Sequence, residues 1–358
     1  MVNLFKCAAR PAVFALDPEI AHGLTLKGIA SGLLPRARHA DDKRLAIRAA
    51  GLSFRNPLGV AAGLDKNGEA IDGLVKLGFG HVEVGTVTPR PQPGSPKPRL
   101  FRLVKDEAVI NRMGFNNEGH DALAARLDAR RKQGIVGVNI GANKDSDDRI
   151  ADYAAGVARF AARADYLAVN ISSPNTPGLR NLQAREQLAR LLGAIAEERE
   201  KAATGTPVFL KIAPDLTEEG LDDIVAEIRA STLDGVIVSN TTLARDGLVD
   251  QRQAGEAGGL SGAPLFERST ALLARMRQRL GPEAVIIGVG GVSTGERAAE
   301  KIRAGADLVQ IYSGMVYEGF DLVEASLKAM VTAMERMGVS SLAQLRDSSV
   351  EEWARKPF

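Results

Sequence analysis

Tyr166-Leu167-Ala168-Val169-Asn170-Ile171-Ser172-Ser173-Pro174-Asn175-Thr176-Pro177-Gly178 passes from an apolar run into a loop with two Asn, two Ser and two Pro. Tyr166 to Val169 is continuously apolar, the pattern of a strand buried on both faces. The polar residues beyond Val169 have stopped serving a core, because Asn carries donors and acceptors and a Ser hydroxyl can give or take a proton. The prolines hold the segment extended and prevent an early helix. Taken alone, Ser-Pro-Asn-Thr-Pro-Gly is turn chemistry. Its weight comes from repetition, since polar residues close almost every other apolar run.

Eight such runs occur in order: Gly59 to Ala62, His81 to Val84, Gly134 to Ile140, Tyr166 to Asn170, Val208 to Ile212, Gly235 to Ser239, Ala284 to Gly288 and Leu308 to Ile311. Between them lie helical patterns such as Leu188, Leu191, Leu192 and Ile195, with helix starts at Thr217-Glu218-Glu219 and Ser293-Thr294-Gly295-Glu296. Eight strand–helix units predict an α/β fold, a (β/α)8 TIM barrel, over residues 45–358. A doubly wound sheet competes, but nothing in it stops the count at eight. Two connections are long. Pro89 to Asn111 holds Phe101 to Val104 and Val109 to Asn111, which predict a hairpin over the strand ends, and Gly255 to Gly262 is a Gly-rich loop.

The 358 residues are 45% hydrophobic and 25% charged, with a net charge of only +2, which gives no basis for nucleic-acid binding. One cysteine, Cys7, excludes an internal disulfide, and four scattered His make no metal motif, so no metal is expected. No run reaches the ~18 apolar residues of a spanning helix, and the N-terminus reads as neither a secretory signal nor a transit peptide.

The strand ends carry the chemistry: Asp65, Lys66 and Asn67 after the first, Thr86 after the second, Asn139 and Asn143 after the third, Lys211 on the fifth, and Ser239, Asn240 and Thr241 after the sixth. One polar cap is ordinary, but two lysines and this many amides on one barrel mouth fit a flat, hydrogen-bonding cofactor and an anionic substrate. Gly290-Gly291 and Ser313-Gly314 come after strands seven and eight, where barrels hold phosphate. A flavin mononucleotide (FMN) fits, with a lysine near its ring.

The motifs Ala61-Ala62-Gly63-Leu64-Asp65-Lys66-Asn67, Asn111-Arg112-Met113-Gly114-Phe115-Asn116-Asn117, Asn170 to Thr176, Lys211-Ile212-Ala213-Pro214-Asp215, Ser239-Asn240-Thr241-Thr242 and Gly288-Val289-Gly290-Gly291 resemble those of the dihydroorotate dehydrogenases, in particular the membrane-associated, quinone-dependent class. The resemblance spans nearly the whole chain, including Leu16-Asp17-Pro18-Glu19-Ile20-Ala21-His22. It implies oxidation of dihydroorotate to orotate in pyrimidine biosynthesis, one proton going to a base and a hydride to FMN, which a ubiquinone then reoxidises. Ser173 is the implied base. Ala62, Gly63, Leu64, Asp65, Lys66, Thr86, Asn139, Asn170, Lys211, Ser239, Gly262, Gly291, Tyr312 and Ser313 are implied to bind FMN. Lys66, Asn111, Arg112, Met113, Gly114, Phe115, Asn170, Asn175, Asn240 and Thr241 are implied to hold the pyrimidine. Soluble members use a Cys base, which Cys7 is too remote in sequence to be, and those that pass electrons to a partner subunit lack the N-terminal extension. No iron–sulfur partner is therefore expected.

Residues 1–44 differ from the barrel. Asp17 caps a predicted helix with Pro18 at its first position, and His22, Leu26, Ile29 and Leu33 form an apolar stripe. Leu4, Phe5, Ala8 and Phe14 lie upstream among Lys6 and Arg10, and the segment holds seven Lys/Arg against four Asp/Glu. The residues alone allow a cover for the barrel bottom, a dimer contact or a basic amphipathic surface for anionic lipid. The resemblance implies a peripheral element on the cytoplasmic side of the cell membrane, with a quinone tunnel touched by His22, Arg102 and Tyr312. Two other readings remain: a flavin barrel acting on another pyrimidine with NAD(P), against which stands the lack of a G-x-G-x-x-G, and a non-catalytic membrane module, against which stand the polar strand ends.

Overall fold

The computed structural model describes residues 10–130 and 133–358. Cys7 and the upstream residues Leu4, Phe5, Lys6 and Ala8 lie outside the described residues. Eight parallel strands close into a barrel in sequence order: β1 (Leu58–Val60), β2 (His81–Val87), β3 (Ile135–Ile140), β4 (Tyr166–Asn170), β5 (Val208–Ile212), β6 (Gly235–Val238), β7 (Val285–Val289) and β8 (Leu308–Ile311), which pairs back with β1. This is the TIM barrel predicted from the apolar runs. The helices between strands hide the outward side chains. In β2, Val82 and Val84 join that outer core, while His81 and Glu83 turn inward.

Helix starts match the sequence signals. Thr217 Oγ1 accepts from the Gly220 amide to open the helix Glu218–Ala230, and Thr294 does the same for Gly295–Arg303 by accepting from the Arg297 amide. The long connections form one sheet. The predicted hairpin, Leu100–Leu103 and Ala108–Asn111, gains a third strand, Gly259–Gly262, from the Gly-rich loop. Asp106 at the hairpin turn accepts from the amides of Val249 and Asp250, locking both excursions together.

The short hairpin Ile47–Ala49 and Leu52–Phe54 was not foreseen. Strands of three residues leave too little periodicity to read. It plugs the amino-terminal end of the barrel, where Phe54 meets the His81 ring edge-on at 5.5 Å.

Two helices precede the barrel, α1 (Arg10–Ala15) and α2 (Pro18–Ala30). Asp17 caps α2 by accepting from the amides of Glu19 and Ile20. The predicted stripe is only partly right. Leu26 and Ile29 are buried against the barrel, and Gly73 permits the contact, since a Cβ there would stand 2.0 Å from the Ile29 carbonyl oxygen. Leu33 lies beyond the helix end at Ala30 and is 86% exposed. A second apolar face, Leu16, Ile20 and Leu24, is turned to solvent. Among the described residues no helix is long and apolar enough to cross a membrane.

Candidate active site

The carboxyl ends of the strands face one cavity, which continues outward between α1, α2 and the three-stranded sheet. Its floor is a hydrogen-bonded amide layer. Thr86 Oγ1 on β2 donates to Asn139 Oδ1 on β3 at 2.6 Å, and Asn170 Nδ2 on β4 donates to both at 3.0 and 3.2 Å. Asn240 after β6 donates to Asn170 Oδ1 at 3.2 Å and to Ser172 Oγ at 2.9 Å. Each amide is thereby fixed in place by its neighbours, and Thr86, Asn170 and Asn240 of this network line the cavity.

The loop after β4 places Ser173 in the cavity wall, 5% exposed, where its Oγ accepts from the Asn175 amide at 3.2 Å. Asn175 Nδ2 in turn donates to Asn111 Oδ1 at 3.2 Å, joining this loop to the accessory sheet. Lys66, from the loop after β1, donates to the Gly63 carbonyl at 3.0 Å, and burial pushes its ammonium down to about 8. Lys211 on β5 also lines the cavity, lowered by burial while Glu83 opposes the shift.

The opposite wall is glycine-rich. Gly262, Gly290, Gly291, Ser313 and Gly314 line it, and Ser313 donates to Ser261 at 2.8 Å. Gly291, at φ +75°, approaches the helix Phe266–Leu280 so closely that a Cβ would stand 2.2 Å from the Phe266 amide nitrogen. Phe14, Pro18, Ala21, His22, Leu100 and Arg102 make the outer, mostly apolar part of the cavity. Tyr312 lies where it meets the polar part, and burial pushes its phenol up to about 12, so it stays neutral.

Ala62, Gly63, Leu64, Lys66, Thr86, Asn170, Lys211, Ser239, Gly262, Gly291, Tyr312 and Ser313 all line this cavity, as do Ser173, Asn111, Met113, Gly114, Phe115, Asn175, Asn240, Thr241, His22 and Arg102. Three of the expected residues do not. Asp65 folds back to accept from the amides of Glu69 and Ala70. Arg112 pairs with Glu256 at 2.6 Å and stacks on Phe101. Asn139 lies a layer deeper, donating to Glu83 at 2.8 Å. Glu83, Gln310 and Arg180 belong to the site without being among the residues expected from the sequence. The first was detectable, because His81 and Glu83 alternate with Val82 and Val84. Arg180 donates to the Ser172 carbonyl, the Thr241 carbonyl and the Asp215 carboxylate, a long-range convergence with no local signature. Among the described residues no cluster of His, Cys, Asp and Glu is placed to hold a metal.

A closed parallel barrel with its polar groups gathered at the strand ends is the architecture of a barrel enzyme. Comparison with known proteins gives the particular kind. Residues 44–334 match the family model for dihydroorotate dehydrogenase. The chain is 62% identical over 358 residues to a dihydroorotate dehydrogenase (quinone) of Allorhizobium ampelinum and 63% identical to that of Sinorhizobium fredii, covering 99% of each chain in both pairings. The crystal structure of DHODH from Eimeria tenella in complex with ferulenol superposes with a TM-score of 0.87 at 39% identity, covering 93% of this chain and 96% of that one. The ligand-free form gives the same TM-score. The chain belongs to the dihydroorotate dehydrogenase family, and the Allorhizobium and Sinorhizobium relatives are quinone-dependent members of it.

Proposed function

We propose that this enzyme oxidises dihydroorotate to orotate in pyrimidine biosynthesis and passes the electrons through FMN to a quinone. The observation that carries this reading is the single cavity, amide- and lysine-lined at the strand ends and apolar between the N-terminal helices. An anionic, hydrogen-bonding substrate and a greasy acceptor need these two environments.

The donor set fits FMN. Thr86, Asn170, Lys211 and Ser239 would hold the ring edge, while Gly262, Gly291 and Ser313 offer backbone and hydroxyl groups to the phosphate. When bound, FMN supplies two-electron acceptance from a C–H bond and release to a quinone. Lys66 meets the substrate carboxylate, and Asn111, Asn175 and Asn240 orient the pyrimidine. Ser173 takes the proton from substrate carbon. A hydroxyl is a weak base, so its dry setting and the acidity of that C–H matter.

The N-terminal element, residues 1–44, serves as the quinone entrance and rests on the cytoplasmic side of the cell membrane. Exposed Leu16, Ile20 and Leu24 support this, standing beside the tunnel residues Phe14 and His22. His22 and Arg102 border the quinone path, with Tyr312 at its inner end.

The visible spectrum of the purified protein tests the reading. A flavin spectrum should bleach anaerobically with dihydroorotate and return with a quinone. Absence of bleaching, or recovery with NAD(P)+ in place of quinone, would refute it.

A further inference from the structure

Glu83 is a fully buried carboxylate at the centre of the barrel, one layer below the cavity. Gln310 Nε2 at 2.8 Å and Tyr166 OH at 3.1 Å donate to Oε2, and Asn139 Nδ2 at 2.8 Å donates to Oε1. Three side-chain donors thus converge on its two oxygens, so neither is left without a partner in the dry centre of the barrel. Lys211 Nζ stands 3.8 Å from Oε1, and Lys211 itself lines the cavity. The order along this line is carboxylate, ammonium, cavity.

Lys211 forms no other ion pair among the described residues. The groups around the pair are Asn139 on β3, Tyr166 on β4 and Gln310 on β8, none of them charged. Tyr166 is held far above its ordinary range by burial and by Glu83. His81, below them, is pushed down to about 3 by burial and stays neutral. Lys211 therefore depends on one anion to keep its proton in a dry site.

We propose that Glu83 is the fixed counter-ion that keeps Lys211 protonated before electrons arrive, so that the cation beside the flavin ring is built in. This rests on the FMN reading proposed for the cavity. Oxidation of dihydroorotate releases two electrons and two protons. One proton would pass to Ser173, and FMN, when bound, would accept the other together with both electrons. If Lys211 were neutral, it would draw one further proton from solvent as the ring gained negative charge. With Glu83 in place that third proton is not needed.

The test is the flavin midpoint potential against pH, from about pH 6 to 9, the window to which the loss of a counter-ion brings a buried lysine. The parent should show no inflection from Lys211. Glu83→Gln should bind flavin yet show a steeper line, by one proton per two electrons, above the new Lys211 pKa. Adding Lys211→Arg to Glu83→Gln should restore the parental slope, since a guanidinium does not titrate there. Should Glu83→Gln not fold, Glu83→Asp serves, its shorter carboxylate moving the inflection less far down. Parallel lines for variant and parent overturn the proposal. If the isolated protein carries no flavin, the FMN reading fails, and the same purified chain still decides Glu83. Acetylation of Lys211 by acetic anhydride at neutral pH, read by mass spectrometry, should be about tenfold faster in Glu83→Gln for each unit of lowered pKa. Unchanged acetylation overturns it.

Discussion

His22 Nε2 lies 2.7 Å from the Leu64 carbonyl oxygen, tying α2 to the loop that carries Lys66. A carbonyl only accepts, so Nε2 carries the hydrogen and Nδ1 is left as an acceptor. Burial, helped by the positive charge of Lys66, pushes His22 down to about 4 and keeps it neutral. The outer and inner parts of the cavity thus meet at adjoining residues of one short loop.

With Lys66 proposed to meet the substrate carboxylate, substrate binding should depend on pH. The Lys66 ammonium, pushed down to about 8, is complete below that pH and lost above it. Orotate affinity should be level below about pH 7 and fall roughly tenfold per pH unit beyond the pKa. Lys66→Met should bind weakly throughout and lack this limb. Titration by flavin absorbance reads both, and an affinity level well into the alkaline range would sink the assignment.

Ser173→Ala should retain flavin and orotate but slow flavin reduction by ~10²–10⁴-fold, the usual loss for a general base. Ser173→Cys should keep part of the rate. Stopped-flow reduction at the parental rate in the Ala variant would remove Ser173 from the chemistry.

Arg180 does not line the cavity, yet it joins the loops after β4, β5 and β6 through Ser172, Asp215 and Thr241. It is a positioning residue. Arg180→Ala should lower the rate of flavin reduction by roughly 10–100-fold through misplacement of Ser173 and the substrate contacts. The pH profile should keep its parental shape, since no titrating group is lost, and a changed pKa would mean a direct role.

On the outer face, Ile20→Glu with Leu24→Glu should abolish binding to anionic vesicles and slow turnover with long-tailed quinones. Both side chains are more than half exposed, so folding and flavin reduction by dihydroorotate should be unaffected. Vesicle flotation checks the first effect. Undiminished binding would assign the face to something other than lipid.

Acid should destabilise the fold partly through His81, whose ring nitrogens have no partner. Its pKa is about 3 folded, against 6.5 ordinarily. Between those values the unfolded chain holds a proton that the folded one lacks, so stability falls as pH falls. His81→Phe should lie within ~1.5 kcal/mol of the parent near neutrality and lose stability more gently on acidification, by up to about 1.4 kcal/mol per pH unit. Chemical denaturation across the acid range gives both slopes, and identical slopes would contradict it.

The barrel was legible because each strand is buried on both faces, leaving runs that stay mostly apolar even where Lys211 follows Leu210 and Gln310 follows Val309. The mouth was legible because Asn170, Ser173 and Asn240 come directly after those runs. Arg180 and the plug hairpin around Phe54 were not, since their partners are distant in sequence or their strands too short. The α2 stripe fails at Leu33 because helical spacing continues in the sequence after the helix has stopped at Ala30.

The accessory sheet is a single mechanical part. Asn111 pairs with Leu100 on one side and Gly259 on the other, so its backbone is held from both edges. The same small plate presents Arg102 toward the apolar passage, Asn111 toward the polar chamber and Gly262 toward the glycine-rich wall. Tyr317 bolts it to the barrel by donating to the Ala108 carbonyl at 2.6 Å. A shift of the plate driven by a bulky occupant of the passage would carry all three surfaces with it. Inhibitors lodged far from the pyrimidine should therefore alter how firmly the pyrimidine is gripped, even with no atom in common.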